Sequence, residues 1–300
     1  MQTFTVRKEA VCSPHGLVAA QNRHAAEAGA AVLARGGNAM DAAIVTALVL
    51  SVVEPWLSGV GGGGFLLHAD GHTGAVDTLD FNVVSPRGID PGDYPLGAAD
   101  SGNWFDWPTV EGNRNVSGYS AICVPGAIAG FAAALERFGT LSWSDALAPA
   151  IAHAERGLEM DWFACLAIAI DAAGLAEFPA SAEIFLTEGR APRASDASPP
   201  ATRPMPAKAR MLRRLAQAGA RDFYEGETAQ ALLHDLAHGG SKIAARDLSD
   251  YEPRWQAPLV GAYGDFEVNA ISGLSAGPTL LASCDALATS GIGPRTTPAD

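Results

Sequence analysis

Two helices are predicted near the start of the chain by the spacing of its apolar residues. From Gln21 to Arg35, alanine, valine and leucine recur every three or four positions, and Gly36-Gly37 follows as a stop signal. From Ala39 to Val53 nearly every residue is apolar. The first segment is therefore predicted to be amphipathic, and the second to be buried on nearly all sides against a sheet.

Two β-hairpins enclosing a helical block are predicted for the rest of the chain. The first hairpin pairs Phe65–Ala69 with Ala75–Val84, the second lies within Pro258–Ile271, and a last helix is expected at Leu280–Ala288. From about residue 125 to 250, helical spacing extends over five segments: Gly126–Phe138, Ser144–Arg156, Trp162–Ala173, Ala207–Ala218 and Thr228–His238. This order predicts an α+β fold in which helices pack on antiparallel sheet.

Four consecutive glycines, Gly61, Gly62, Gly63 and Gly64, separate the apolar helix from the first predicted strand. Glycine loses more backbone freedom on ordering than any other residue, so the run indicates a place where backbone approaches something closely or adopts positive φ. A phosphate-binding loop needs a helix directly after the glycines, whereas Phe65–Ala69 has the pattern of a strand. We therefore predict a loop that leads into a strand beside a buried site.

The composition favours a compact globular protein. The 300 residues are 48% hydrophobic and 18% charged, and the formal net charge of −13 disfavours nucleic-acid binding. The four cysteines are far apart, with no C-x-x-C pair, which argues against a zinc knuckle or a dense disulfide framework. The N-terminal residues lack the apolar core of a secretory signal, and the most apolar run is too short to span a bilayer. A cytoplasmic protein without a membrane partner is expected, and no motif indicates a cofactor.

No complete catalytic motif is visible in the chain. His234 and His238 have the spacing of a zinc pair but no third ligand, and histidines near a helix end also complement the helix dipole. We therefore assign no metal site. A G-x-S-x-G nucleophile elbow is absent, and Cys123 has no nearby histidine that would activate it. The nucleophile is expected on a partner segment.

A set of motifs, in order and spacing, resembles the γ-glutamyltransferase family. The resemblance covers essentially the whole chain and corresponds to the large subunit of that family. The segments that carry it are Gly36–Ala43, Val53-Glu54-Pro55, Ser58–Phe65, Leu79-Asp80-Phe81, Val124-Pro125-Gly126, Phe223–Gly226 and Asp247–Tyr251, followed by the strand pair with Pro258-Leu259 and Tyr263.

This resemblance implies an N-terminal-nucleophile hydrolase with a four-layer αββα sandwich, made as one precursor that cuts itself into a large and a small subunit. Residues 1–300 are then the large-subunit portion of one such domain, with the block from about 125 to 250 inserted between sheet-forming segments. The implied nucleophile is the threonine freed at the N-terminus of the small subunit, where the α-amine can act as its base. No catalytic residue is expected in this chain. The expected partners are the small subunit and a small-molecule amide.

One departure from the family concerns the substrate. In the transferases an Arg follows the Asp-Phe pair and holds the α-carboxylate of the glutamyl group, whereas this chain has Asn82 there. An Arg–carboxylate contact contributes roughly 1.5–3 kcal/mol, on the order of 10- to 100-fold in affinity, and Asn supplies no charge. We expect Asn82 and Phe81 at the substrate, with Arg87 as a candidate for the missing cation.

The long segment Ser85–Gly118 is rich in glycine and proline and is predicted to be a functional loop. Its Trp104 and Trp107 either line the substrate pocket as part of a lid or anchor the loop by packing.

Three functions remain open from the sequence. The departure at Asn82 favours a non-glutamyl amide hydrolase of this superfamily, such as an acylase or a small-amide hydrolase of the oxamate amidohydrolase kind. A true γ-glutamyltranspeptidase or glutathione hydrolase is the alternative if another cation replaces the Arg. A binding homologue without catalysis is the third.

Overall fold

The computed structural model describes residues 10–100, 108–194 and 200–290, with the side chains of 98–100 left aside. The helices in those ranges are α1 (Arg23–Ala34), α2 (Ala39–Val53), α3 (Ala127–Phe138), α4 (Trp143–Arg156), α5 (Trp162–Ile170), α6 (Ala172–Ala176), α7 (Pro179–Phe185), α8 (Pro206–Ala218), α9 (Asp222–Glu225), α10 (Glu227–His238), α11 (Ala245–Ser249) and α12 (Gly277–Thr289). The strands are β1 (Phe65–Ala69), β2 (Val76–Asp80), β3 (Leu96–Asp100), β4 (Pro108–Val110), β5 (Leu158–Glu159), β6 (Thr202–Arg203), β7 (Arg254–Gln256), β8 (Leu259–Tyr263) and β9 (Phe266–Ala270).

Helix α2 forms the centre of the core. Its first turn is closed by a capping box, in which Asn38 Oδ1 accepts from the Asp41 amide and Asp41 Oδ2 accepts from the Asn38 amide, both at 2.9 Å. Helices α1, α3 and α4 pack around it, and most of its residues are buried. The predicted bounds, Ala39–Val53, and the predicted burial are confirmed, but helices rather than a sheet make most of the contacts with α2.

The buried Asp41 carboxylate also ties α2 to the connection between α3 and α4. It accepts hydrogen bonds from the Thr140 amide at 2.7 Å, the Thr140 hydroxyl at 2.6 Å and the Leu141 amide at 3.0 Å. Burial alone opposes ionisation of Asp41, but the hydrogen bonds outweigh it and lower the pKa of the carboxyl.

A three-stranded antiparallel sheet in the order β1-β2-β7 carries the candidate site. Strand β2 pairs with β1 on one side and with β7 on the other, which places Asp80 opposite Arg254. The predicted first hairpin is confirmed, but its second strand ends at Asp80 rather than Val84. Beyond Asp80 the chain leaves the sheet, and Val84 instead forms an isolated bridge with Val124.

The helical block and the long loop differ from expectation in two places. The predicted helix Trp162–Ala173 is interrupted at Asp171, where φ is −118°, and continues as the separate short helix α6. The segment Ser85–Gly118, expected to be a loop, contains the antiparallel pair β3–β4. Within the described part of the chain, none of the helices has both the length and the apolar character needed to span a bilayer.

The C-terminal strands and helix bury little of their apolar surface. Strands β8 and β9 form the second predicted hairpin, and α12 packs on both. Yet Gly277 is the one buried residue of α12, and Val260, Phe266 and Leu280 are each about half exposed or more. A patch of this kind usually contacts another protein segment.

Candidate functional site

The glycine loop is held against the segment that follows β2. The Gly64 amide donates to the Phe81 carbonyl at 3.2 Å, and the Phe81 amide donates to the Gly64 carbonyl at 3.0 Å. A Cβ added to Gly63 would lie 2.5 Å from the Val83 amide nitrogen. None of the four glycines has positive φ. Of the two explanations for the glycine run, close backbone approach therefore applies.

Gly62 supports the N-terminus of α3. Its carbonyl oxygen accepts from the amides of Gly126 at 2.9 Å and Ala127 at 3.0 Å. The N-cap residue Gly126 has no side chain to cap α3, so the Gly62 carbonyl satisfies the first two amides, and the Tyr224 hydroxyl accepts from the Ala129 amide at 3.1 Å. Gly61, in contrast, has open space where a Cβ would be.

Hydrogen bonds to its backbone and to the oxygen of its side-chain amide hold Asn82 in place. Its backbone amide donates to Asp80 Oδ1 at 3.0 Å, and its carbonyl accepts from the Tyr251 hydroxyl at 2.8 Å. Burial raises the pKa of Tyr251 to about 12, so the hydroxyl keeps the proton it donates. Asn82 Oδ1 accepts from the Val83 amide at 2.9 Å, and the Nδ2 group takes no part in this contact.

A cavity of about 350 Å³ opens beside Asn82. Its polar lining combines two arginines, four carboxylates, an amide, a phenol and a serine hydroxyl: Arg87, Arg254, Asp80, Asp247, Asp250, Glu252, Asn82, Tyr251 and Ser85. Asn82 and Arg87, both predicted from the sequence, therefore line one cavity. We take it as the candidate site.

Arg87 lies at this cavity but is held by acidic neighbours. Its Nη2 lies 3.0 Å from Asp250 Oδ2, its Nη1 lies 3.7 Å from Asp247 Oδ1, and Nη1 also donates to the Arg246 carbonyl at 3.2 Å. The Arg87 amide donates to Asp247 as well, at 3.2 Å. The guanidinium is thus committed to stabilising the segment around α11.

Arg254 is the cation at this cavity that the sequence analysis missed. Its side chain is 68% exposed, and its one side-chain ion pair among the described residues joins Nη2 to Asp80 Oδ2 at 3.3 Å. The pairing of β2 with β7 brings it next to the Asp80–Asn82 segment although 172 positions separate Arg254 from Asn82. Such a register is not visible in local sequence patterns.

Phe81 has a packing position rather than a place on the cavity wall. Its side chain is 6% exposed, and its ring lies edge-on to Phe131 at 5.7 Å. Added Cβ atoms at Gly64 and Gly130 would meet the ring at 3.0 and 2.2 Å, so both glycines make room for it. In this chain Phe81 supports the glycine loop from beneath, and its expected substrate contact stays a prediction.

The other candidate groups contribute less. Trp104 and Trp107 lie outside the described residues. His238 Nδ1 donates to the His234 carbonyl at 2.7 Å, and the described residues contain no group of three or more His, Cys, Asp or Glu suited to a metal ion. A larger cavity of about 700 Å³ lies between α1, α4 and α5, but none of the predicted site residues that the structure describes lines it.

Comparison with known sequences places this geometry in a family. The gamma-glutamyltranspeptidase family model matches residues 25–293. The Acylase ACY 1 proenzyme of Pseudomonas sp. (strain V22) is 34% identical over 269 residues, covering 88% of this chain and 46% of that protein. The Glutathione hydrolase proenzyme of Bacillus subtilis (strain 168) is 29% identical over 280 residues, covering 93% and 45%. The chain therefore spans about half the length of these relatives.

Solved structures give the same assignment. Helicobacter pylori gamma-glutamyltranspeptidase superposes with a TM-score of 0.84 at 27% identity, covering 96% of this chain and 80% of that one. Cephalosporin acylase from Bacillus halodurans gives a TM-score of 0.75 at 26% identity, covering 89% and 47%. The predicted α+β fold of the N-terminal-nucleophile hydrolase type is confirmed. The chain belongs to the gamma-glutamyltranspeptidase family.

Proposed function

We propose that this chain is the large-subunit part of an autoprocessed amide hydrolase whose substrate is a non-glutamyl amide. The threonine hydroxyl at the N-terminus of the small subunit attacks the amide carbonyl, the amine leaves, and water hydrolyses the acyl-enzyme. This chain supplies one wall of the acyl pocket. The proenzyme relatives and the uncovered apolar surface of β8, β9 and α12 support a second subunit that completes the site.

One observation carries the choice of substrate. Asn82 lies on the cavity wall at the position where the transferases have their carboxylate-binding Arg, and Arg87 is held by Asp247 and Asp250 instead of replacing it. A neutral amide at position 82 provides one hydrogen bond where Arg provides a charged, two-pronged contact. A γ-glutamyl group is therefore bound less well at this position than in the transferases.

The test compares amide substrates on the full-length, processed protein. We expect the wild-type protein to hydrolyse a simple N-acyl anilide faster than a γ-glutamyl anilide, with no acceleration by a dipeptide acceptor. Asn82→Arg should raise kcat/KM for the γ-glutamyl anilide by about 10- to 100-fold, because it restores the charged contact. Ser85→Arg is the matched control, since it adds the same charge to the same cavity at another position.

Two results would count against this proposal. Rapid turnover of the γ-glutamyl anilide by the wild type, accelerated by a dipeptide, favours the transferase alternative. That alternative has one specific observation in its favour, because Arg254 provides a cation at the same cavity. If Asn82→Arg and Ser85→Arg change kcat/KM for the γ-glutamyl anilide equally, position 82 has no specific contact with the substrate.

A further inference from the structure

We propose that the cavity of about 700 Å³ between α1, α4 and α5 binds an organic ammonium ion with an apolar body, held by Glu54, Asp161 and a wall of aromatic rings. Its volume lies within the range of roughly 300–1,000 Å³ that is typical of small-molecule sites. It shares no lining residue with the cavity beside Asn82, and its ligand does not depend on the proposed amide hydrolysis.

A buried carboxylate lines this cavity. Glu54 is 3% exposed, and the charge of the neighbouring Asp161 acts on it. Burial and this repulsion raise the pKa of Glu54, and a hydrogen bond with the Asn22 side chain offsets only part of the increase. Neither carboxylate has an ion-pair partner among the described residues. Carboxylates are rarely fully buried unless they are paired, so this part of the cavity is suited to a ligand cation.

Three aromatic rings line the same cavity. Phe163 lies edge-on to Trp56 with 6.0 Å between ring centroids, and Trp162 lies 5.6 Å from Phe163. Trp56 follows Glu54 by two positions. Phe163 follows Asp161 by the same spacing, so each segment brings a carboxylate and a ring to the cavity. Because aromatic rings attract cations and also bury apolar groups, this lining suits an ammonium ion with an apolar body better than a hydrated metal ion.

The basic groups at the cavity leave these carboxylates available. His24 Nε2 lies 3.0 Å from Glu159 Oε1 and is engaged there. Burial lowers the pKa of His153, so this imidazole is mostly neutral at pH 7. Arg23 and Arg156 are exposed, so solvent and salt screen their repulsion of a bound cation.

The experiment compares two ligands of nearly the same size that differ in charge. Phenethylammonium carries the cation, and 2-phenylethanol has a hydroxyl group in its place. Isothermal titration calorimetry of the full-length, processed wild type should give a Kd about 10- to 100-fold lower for the ammonium, because it alone gains a charged contact with a carboxylate. Glu54→Gln should remove most of this difference by weakening the binding of the ammonium.

Two further variants separate ligand binding from folding. Asp161→Asn removes the second charge but keeps the Oδ1 atom that accepts from the Ala164 amide at 2.8 Å and caps α5, so it should fold and reduce the advantage of the ammonium. Glu155→Gln is the matched control, because Glu155 is exposed on α4, pairs with Arg213 and does not line the cavity. In this control the ratio of the two Kd values should match the wild type.

Three results would overturn the inference: equal affinity of the wild type for the two ligands, no measurable binding of the ammonium at millimolar concentrations, or an unchanged ratio of Kd values in Glu54→Gln. If Glu54→Gln does not fold, an unchanged ratio in Asp161→Asn has the same meaning. Each of these results concerns binding alone and leaves the proposed amide hydrolysis standing. A protein that binds the ammonium as expected but cleaves no amide contradicts the proposed function and leaves this inference intact.

Discussion

The four glycines differ in how much space surrounds the position of a Cβ atom, and a pair of alanine substitutions measures the effect of this difference on stability. A Cβ at Gly63 would lie 2.5 Å from the Val83 nitrogen, 2.7 Å from the Asn82 carbonyl carbon and 2.7 Å from the Phe81 oxygen. All three are backbone atoms, so no rotamer change relieves the contact. At Gly61 a Cβ would meet nothing within 4 Å.

From these distances we expect Gly63→Ala to cost about 1–3 kcal/mol of unfolding free energy, the usual range for overpacking a well-packed site. Gly61→Ala should be neutral or stabilising by up to about 1 kcal/mol, since alanine lowers the entropy of the unfolded chain and neither glycine has positive φ. The unfolded-state effect is common to both variants, so their difference isolates the contact with residues 81–83.

Thermal unfolding of the full-length protein measures the difference in stability between the two variants. Steady-state kinetics measures the effect of each substitution on the candidate site. Gly63→Ala should lower Tm by a few degrees relative to Gly61→Ala. It should also lower kcat/KM for amide substrates, because the displaced segment carries Asn82. Equal Tm values for the two variants would refute the argument that close approach at Gly63 explains the glycine run.

Three further predictions concern buried ionisable groups. Hydrogen bonds from Arg214 and other donors lower the pKa of Asp222 to about 2, so the ionised carboxylate stabilises the fold above about pH 4, and this stabilisation is lost as the pH falls towards 2. In thermal unfolding, Asp222→Asn should have a lower Tm than the wild type at neutral pH, and its Tm should depend less on pH in the acid range. Burial lowers the pKa of Lys208 to about 8, so the Lys208 amine binds a proton more tightly in the unfolded chain than in the folded one. Thermal unfolding at several pH values should therefore show that the stability of the wild type rises between about pH 8 and 10.5 relative to that of Lys208→Met. Asp41→Ala should lower the unfolding free energy by about 3 kcal/mol in urea titrations, because it removes the buried carboxylate that accepts hydrogen bonds from three backbone amides. A loss below about 0.5 kcal/mol would contradict the bonding described for Asp41.

Local sequence patterns predicted the elements that depend on local chemistry. Helix α2 has its predicted bounds because Asn38 caps it and Glu54-Pro55 follows it, and both features lie within the segment itself. The sequence also placed Asn82 at the candidate site, through the resemblance to a family. The interruption at Asp171 escaped prediction because apolar spacing continues through it.

Contacts between distant segments could not be predicted in this way. Arg87 was a candidate for the missing cation, but its pairing with Asp247 and Asp250 depends on where α11 packs. Arg254 reaches the cavity through the β2–β7 register, which a single sequence does not specify. Phe81 was expected at the substrate together with Asn82, whereas its packing against Gly64 and Gly130 depends on contacts between distant segments that the sequence does not show.

The central claim, that this chain shapes a pocket whose nucleophile lies on a second subunit, is tested most directly by mass spectrometry of the full-length product. We expect two polypeptides, the smaller beginning with threonine, and labelling of that threonine by a β-lactone or a diazo-ketone electrophile. Replacing the same threonine by alanine should leave one uncut polypeptide without amide hydrolysis. A single uncut polypeptide that still hydrolyses amides would contradict the claim.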